Sequence, residues 1–340
     1  MPISSFQVPD VLDARRFLTK FLTPTRLVRA ESLEPVSGAQ VWLKLEIENP
    51  TGTFKVRGAL NAVRHRSQQS HFEGVVTSST GNHGAAIAFA ARQMNLKSRI
   101  YLPENPNPVK RERIAKLGAE IVEVGRDLEE SREHAAKFSK ESGWPLIVDV
   151  DDPHIAAGAG TIACEILEQA PLTDVILVPL GDSNLIRGIA YAAKQIRPAI
   201  RVVGVQAEKA PAYYRSWKEH RSLSTETADT IADGLSTRTT TEDNVRQLVE
   251  LVDDVRLVSE EEMLRAIAFL LINEHTLAEP AGAAATAALL KSGKEFAGRN
   301  VALLVSGANI APDVLRRAVA LTPQAAWPNR EPLVHPIIGI

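Results

Sequence analysis

The chain has 340 residues, longer than a single hydrophobic core usually grows, so two lobes are expected, and they need not be consecutive in sequence. Hydrophobic residues make up 44% and charged ones 24%, and a net charge of -2 offers no basic field to attract nucleic acid. The single cysteine, Cys164, excludes an intrachain disulfide framework and any cysteine-rich metal site, which suits a reducing cytoplasm.

The first stretch, MPISSFQVPDVLDARRFLTK, carries acidic residues and no sustained apolar run, so no signal peptide is expected. Short β-branched runs follow in chain order: VWLKLEI from Val41, GVVTSS from Gly74, SRIYLP from Ser98, EIVEV from Glu120, DVILVPL from Asp174, RVVGVQA from Arg201 and VALLVS from Val301. Between them lie helical patterns such as AAIAFAARQM, VKRERIAKL, DLEESREHAAKFSKE, TIACEILEQA and LIRGIAYAAKQI. The alternation predicts parallel sheets covered by helices, an α/β fold. The most apolar segment, MLRAIAFLLI at 263–272, is too short to span a bilayer, so no membrane partner is expected. After Leu321 four prolines break the pattern, and the tail is expected to be an irregular arm.

In parallel sheets ligands collect at the carboxyl ends of strands, so the residues after each strand carry the functional question. TGNHGAA follows VVTSS, and GDSNLIRG follows VILVPL. Both are strand, polar glycine-containing turn, then helix, an arrangement that aims backbone N–H groups and a positive helix end at an anion. Ser306 and Gly307 hold the corresponding place after VALLV. Neither turn fits the dinucleotide pattern G-x-G-x-x-G or the P-loop pattern, which argues against those ligands. In NPTGTFKVRGALNAV, Val56, Ala59, Leu60 and Val63 make an apolar helical face, and Lys55 sits just before it, after the Thr51, Gly52, Thr53 turn. Taken alone, Lys55 would be a solvated helix residue.

The order of the motifs changes that. TGTFKVRGALNAV, SSTGNHGAA, GDSNLIRGIA, TIADGL, EPAGAAA and LLVSGAN together resemble the fold-type II pyridoxal-phosphate enzymes, and among them the threonine dehydratase and serine racemase group. The resemblance runs from about Thr23 to about Ala318, and the FKxRGA and SxGNHG pair is its most specific part. It implies a two-lobed fold of the tryptophan synthase β type with pyridoxal 5'-phosphate as cofactor. The cofactor lobe would be 1–71 with 148–340, and the lobe carrying the substrate loop 72–147.

The same resemblance assigns roles. Lys55, beside Phe54, would form the Schiff base with the cofactor aldehyde, its pKa lowered by desolvation and neighbouring cofactor charge. Asn82 would bond the pyridine 3-oxygen, although the same residue could simply cap a helix. Ser79, Thr80, Asn82 and His83 would grip the substrate carboxylate. Gly181, Asp182, Ser183, Asn184 and Leu185 occupy the phosphate-loop position, and Ser306 would face pyridine N1 with a hydroxyl, which leaves that nitrogen largely unprotonated. Glu279 is either a carboxylate near the ring or a helix-start acid ahead of Pro280.

Four departures qualify the likeness. Asp182, Ser183 and Asn184 replace most of a glycine run; an aspartate beside a phosphate repels it unless it points away or caps the following helix, while Ser183 and Asn184 are expected to add donors. Thr80, placed with Lys55 among the catalytic residues, stands where racemases of the group have serine, which disfavours racemisation. Glu208 matches the first carboxylate of the group's cation site, but Tyr214 replaces the later one, so no metal is expected there. The group's biosynthetic dehydratases carry a further regulatory domain, and this chain ends soon after its last predicted helix, so isoleucine feedback is not expected.

The resemblance thus implies an ammonia-lyase that eliminates the β-hydroxyl of threonine or serine to give a 2-oxo acid and ammonia, as a homodimer by analogy. Racemisation, a hydroxyaspartate-type lyase and β-replacement are the enzyme alternatives, and a non-catalytic cofactor-binding protein is the alternative from another class. Segments 210–217 and 235–239, at or near strand ends, are expected to set the substrate side chain.

Overall fold

In the computed structural model, which describes residues 8–79, 81–106, 108–150 and 152–321, strands and helices alternate as the sequence pattern requires. Chain order runs α1 (Val8–Leu18), β1 (Leu27–Arg29), α2 (Glu34–Ser37), β2 (Gln40–Leu45), α3 (Lys55–Gln69), β3 (Gly74–Ser78), α4 (Asn82–Gln93), β4 (Lys97–Leu102), α5 (Pro108–Lys116), β5 (Glu120–Glu123) and α6 (Leu128–Ser142). It continues through α7 (Pro153–Gln169), β6 (Val175–Pro179), α8 (Asn184–Ile196), β7 (Arg201–Ala207), α9 (Ala212–Glu219), α10 (Glu242–Leu251), β8 (Asp254–Val258), α11 (Glu260–Asn273), α12 (Pro280–Ser292), β9 (Asn300–Val305) and α13 (Pro312–Ala320). The proline-rich tail and Thr80 lie outside the described residues.

The strands form two sheets: a six-stranded one in the order β1-β2-β9-β6-β7-β8 and a three-stranded one, β3-β4-β5. All seven runs anticipated from the sequence are strands, and they pair with one another in parallel. Two edge strands were not anticipated. One is β1, three residues long and antiparallel to β2 at the edge of an otherwise parallel sheet. The other is β8, parallel to β7, where Asp254 and Arg256 form an ion pair at 3.0 Å in an alternating, half-buried edge. Short, charged edge strands bury too little to leave a strong pattern in sequence.

Alternation along the central strands shows why the large sheet needs helices on both faces. Val175 and Leu177 of β6, with Val301, Leu303 and Val305 of β9, join one core with α11 and α12. Ile176 and Val178, with Ala302 and Leu304, join the other with α7 and α8. The small sheet shares a third core with α3 and α4, and Val56, Ala59, Leu60 and Val63 are buried there as their spacing demands. Each such side chain contributes roughly 1.5–3 kcal/mol when large and aliphatic.

An ionic cluster lies beneath α3. The Arg57 guanidinium donates to Glu46 at 2.7 Å and to Glu165 at 2.6 Å, and Lys44 reaches Glu165 at 2.5 Å. All four side chains are buried, so the charges exist there only as a set. The cluster joins β2, α3 and α7, and so fixes the start of α3 relative to the large sheet.

Candidate active site

Lys55 is the first residue of α3, and tertiary bonds set the turn before it. Gly52 adopts φ +71, a left-handed conformation that glycine takes without strain, and its N–H donates to Asn49 O at 2.7 Å. Phe54 N–H then donates to Ser306 O at 3.0 Å, and Thr53 bridges Gly307. The lysine turn is therefore stitched to the end of β9, which brings Ser306 beside Lys55.

The Lys55 ammonium donates to Asp149 and, at 3.1 Å, to Asp182 Oδ2, and it lies 5.3 Å from the centre of the Phe54 ring. Burial alone would lower this amine, but the Asp149 and Asp182 charges outweigh it and hold it well above the usual lysine range. Two carboxylates thus face the lysine and set its charge. Burial would raise Asp149, and Lys55 with His83 reverses that and leaves it well below the usual carboxylate range. One cation cannot satisfy both acids, and burial together with the Asp149 charge pushes Asp182 up to about 6.

Asp182 also caps α8. Its Oδ1 accepts from Asn184 N–H at 3.0 Å, one of the two outcomes anticipated for an acid in that turn. Ser183 (φ 77) and Asn184 follow, both buried, but their side chains turn toward Arg187: Nε donates to Ser183 Oγ at 3.1 Å and Nη2 to Asn184 Oδ1 at 2.5 Å. The Asn184 amide also donates to Asp149 O. A buried guanidinium thus takes up the oxygens of both side chains, whose donors at this turn are the Ser183 O–H and the Asn184 amide. Gly181 stays bare for a packing reason: a Cβ there would lie 2.1 Å from Gly234 O.

Across the cleft, Asn82 opens α4, and its amide is held at both ends. Nδ2 donates to Glu279 Oε1 at 2.9 Å, and Oδ1 accepts from Asn309 Nδ2 at 2.7 Å. Glu279, at the N-cap of α12, makes no side-chain cap; its carboxylate instead also accepts Asn309 N–H at 3.1 Å. The acid thus stands at the helix start and also lines the cleft. Burial raises its pKa against the help of Asn82 and Asn309.

Ser79 Oγ accepts Gly81 N–H at 3.3 Å in the turn ahead of α4. His83 is buried, with its ring 3.2 Å from Ile147 O and 3.5 Å from Asp149 Oδ1, and burial lowers its pKa. Thr80 lies outside the described residues.

One cavity gathers Phe54, Lys55, Asn82, Gly181, Asp182, Leu185, Glu279 and Ser306. Leu235 also lines it, whereas no residue of 210–217 does. Two contributors escaped sequence reading. Asp149 sits in an acidic run, DVDD, that carries no family motif, while Asn309 belongs to the quoted SGAN stretch, three residues after Ser306. Glu208 is exposed, and among the described residues no group of three or more His, Cys, Asp or Glu could hold a metal.

These residues fit a pyridoxal phosphate. A lysine amine, a short turn at a helix N-terminus, a second amide hydrogen on Asn82 and the Ser306 hydroxyl line one buried cleft, and Gly181 presents bare backbone to it. Fold and site together define an α/β lysine enzyme of the cofactor-dependent kind. A family model described as pyridoxal-phosphate dependent enzyme matches residues 18–307, and the chain belongs to that family. It is 34% identical over 310 residues to the L-threonine ammonia-lyase of Thermotoga maritima, covering 91% of this chain and 77% of that one. It is 32% identical over 320 residues to the L-threo-3-hydroxyaspartate ammonia-lyase of Saccharomyces cerevisiae, covering 94% and 98%. Its fold is similar to the crystal structure of a threonine deaminase from T.th., with a TM-score of 0.85, 33% identity and 90% and 99% coverage. No helix among the described residues is long and apolar enough to cross a membrane.

Proposed function

We propose that the protein is an ammonia-lyase that eliminates the β-hydroxyl of a small amino acid, L-threonine or L-serine first, to give a 2-oxo acid and ammonia. The observation that carries this is the convergence of Lys55, Asn82, the Gly181 turn and Ser306 on one cavity. The names of its relatives, threonine and hydroxyaspartate ammonia-lyases, support the reaction class.

When bound, pyridoxal phosphate supplies the aldehyde that binds the substrate amine and the ring that takes up electron density from the α-carbon. Lys55 would hold the cofactor through its aldehyde, and its Nζ is the atom that would take the α-proton. Asp149 and Asp182 hold the resulting ammonium in place. Asn82, fixed by Glu279 and Asn309, has one Nδ2 hydrogen left for the ring oxygen. Ser306 offers a hydroxyl rather than a carboxylate to the ring nitrogen, which favours prompt elimination. The turn 79–83, at the start of α4, binds the substrate carboxylate through backbone N–H groups, with Thr80 among its hydroxyls. In this reading 1–71 with 148–340 form the cofactor lobe, 72–147 form the substrate-loop lobe, and the protein is a cytoplasmic homodimer.

The test is a screen of L-threonine, L-serine and L-threo-3-hydroxyaspartate for release of 2-oxo acid and ammonia by the cofactor-loaded protein. Lys55→Ala should lose the bound-cofactor absorbance band and reduce turnover by about 10³-fold or more. A protein that keeps the band yet turns over none of these substrates would be a cofactor-binding protein without this activity.

A further inference from the structure

We propose that Asp182 is a built-in anion standing at the phosphate end of α8, so that cofactor binding is coupled to uptake of a proton by the Asp149 and Asp182 carboxyl pair. The inference rests on the placement of the cofactor phosphate at the 181–185 turn made above. It concerns what this turn does differently from a glycine run.

The geometry supplies the argument. A helix N-terminus offers its first N–H groups to an anion, and here Asp182 Oδ1 already accepts Asn184 N–H at 3.0 Å. Its other oxygen accepts from Lys55 at 3.1 Å, and the same ammonium binds Asp149. Asp149 is in turn tied to the α8 end, because its carbonyl accepts the Asn184 amide. The phosphate end and the lysine end of the cleft are thus closed on each other by one carboxyl pair around one cation.

Phosphate binding competes for one of these supports: a dianion arrives at the N–H groups that Asp182 now engages. Two buried carboxylates and a phosphate within one cleft repel each other strongly. A proton from solvent on an Asp182 carboxyl oxygen relieves this, and turns a competing acceptor into a donor toward the phosphate.

Among the described residues few other groups face the pair. Lys55 of α3 and Asp149 before α7 lie against the Asp182 carboxyl itself. Tyr213 of α9 donates to the Asp182 carbonyl at 3.3 Å, Arg187 of α8 is engaged with Ser183 and Asn184, and His83 of α4 approaches only Asp149. None of these is a second cation on the carboxyl pair.

The test measures affinity without turnover. Deoxypyridoxine phosphate, which lacks the aldehyde and so leaves Lys55 uncombined, is titrated calorimetrically into the full-length, cofactor-stripped protein and into Asp182→Asn. Phosphate ionisation is common to both, so the ratio of their dissociation constants isolates Asp182. That ratio should rise by about tenfold per pH unit above about pH 6. Asp182→Ser, which can also cap α8, should follow the pH dependence of Asp182→Asn, so that the ratio between these two variants stays flat. A ratio independent of pH, or a pH response that persists in both Asp182 variants and vanishes only in Asp149→Asn, would overturn the proposal. If no protein binds the probe at any pH, the cofactor placement itself is wrong and this inference goes with it.

Discussion

Lys55 Nζ and Asp182 Oδ2 lie 3.1 Å apart across 127 residues of sequence. The contact joins the first turn of α3 to the turn after β6, so the lysine that the sequence singles out and the anion turn it singles out meet in one cleft. Asp149 completes the arrangement, and it decides the charge state of the lysine.

Asp149→Asn should therefore make Lys55 more reactive at lower pH. Asp149 raises the Lys55 pKa, so removing its charge increases the neutral fraction of the amine at any given pH. The pH profile for the rate at which the cofactor absorbance band forms should move down by about one unit or more. An unmoved profile would show that Asp149 does not set the lysine.

Arg57→Met should destabilise the fold by about 3–5 kcal/mol, because it leaves Glu46 and Glu165 buried beside Lys44 alone. Urea unfolding measures this, and a loss below about 1 kcal/mol would mean that the acids simply protonate or rehydrate. The pH dependence has a definite sign. Burial would raise Glu46, but Arg57 and Lys44 reverse this and hold it below its ordinary 4.5. The stability it contributes is present above about that value and is lost as pH falls through the lower folded value. In Arg57→Met that acid-side loss should move toward higher pH.

Gly181→Ala should weaken cofactor binding by tenfold or more, corresponding to about 1–3 kcal/mol of overpacking. A Cβ there would sit 2.1 Å from Gly234 O, and backbone cannot rotate aside as a side chain can. The dissociation constant of the cofactor, with thermal unfolding as a control, checks it; unchanged binding would mean that the 234–235 segment moves freely.

Much of this protein was readable without a structure. Sequence pattern placed seven strands, most clearly the central ones, which are buried on both faces so that nearly every residue there must be apolar, as in VILVP and VALLV. Lys55, Asn82, the Gly181 turn and Ser306 were singled out through the family resemblance of the motifs that hold them, and the fold brings all four to one cavity. The edge strands β1 and β8 were not readable: β1 is three residues long, and β8 has Asp254 and Arg256 between its apolar residues.

What only the tertiary structure decided are the meetings between distant segments. Asp149 lies 94 residues from Lys55, and nothing local to DVDD distinguishes a site residue from a solvated acidic loop. Ser183 and Asn184 looked like phosphate donors in sequence, and only the fold brings Arg187 against their side chains. Glu279 reads in sequence as a helix-start acid or a ring neighbour, and the tertiary structure seats Asn82 and Asn309 on it across the cleft. Sequence determines local geometry and the chemistry each residue carries; partners and protonation depend on which charges burial brings within a few ångströms, and that is a property of the packed chain.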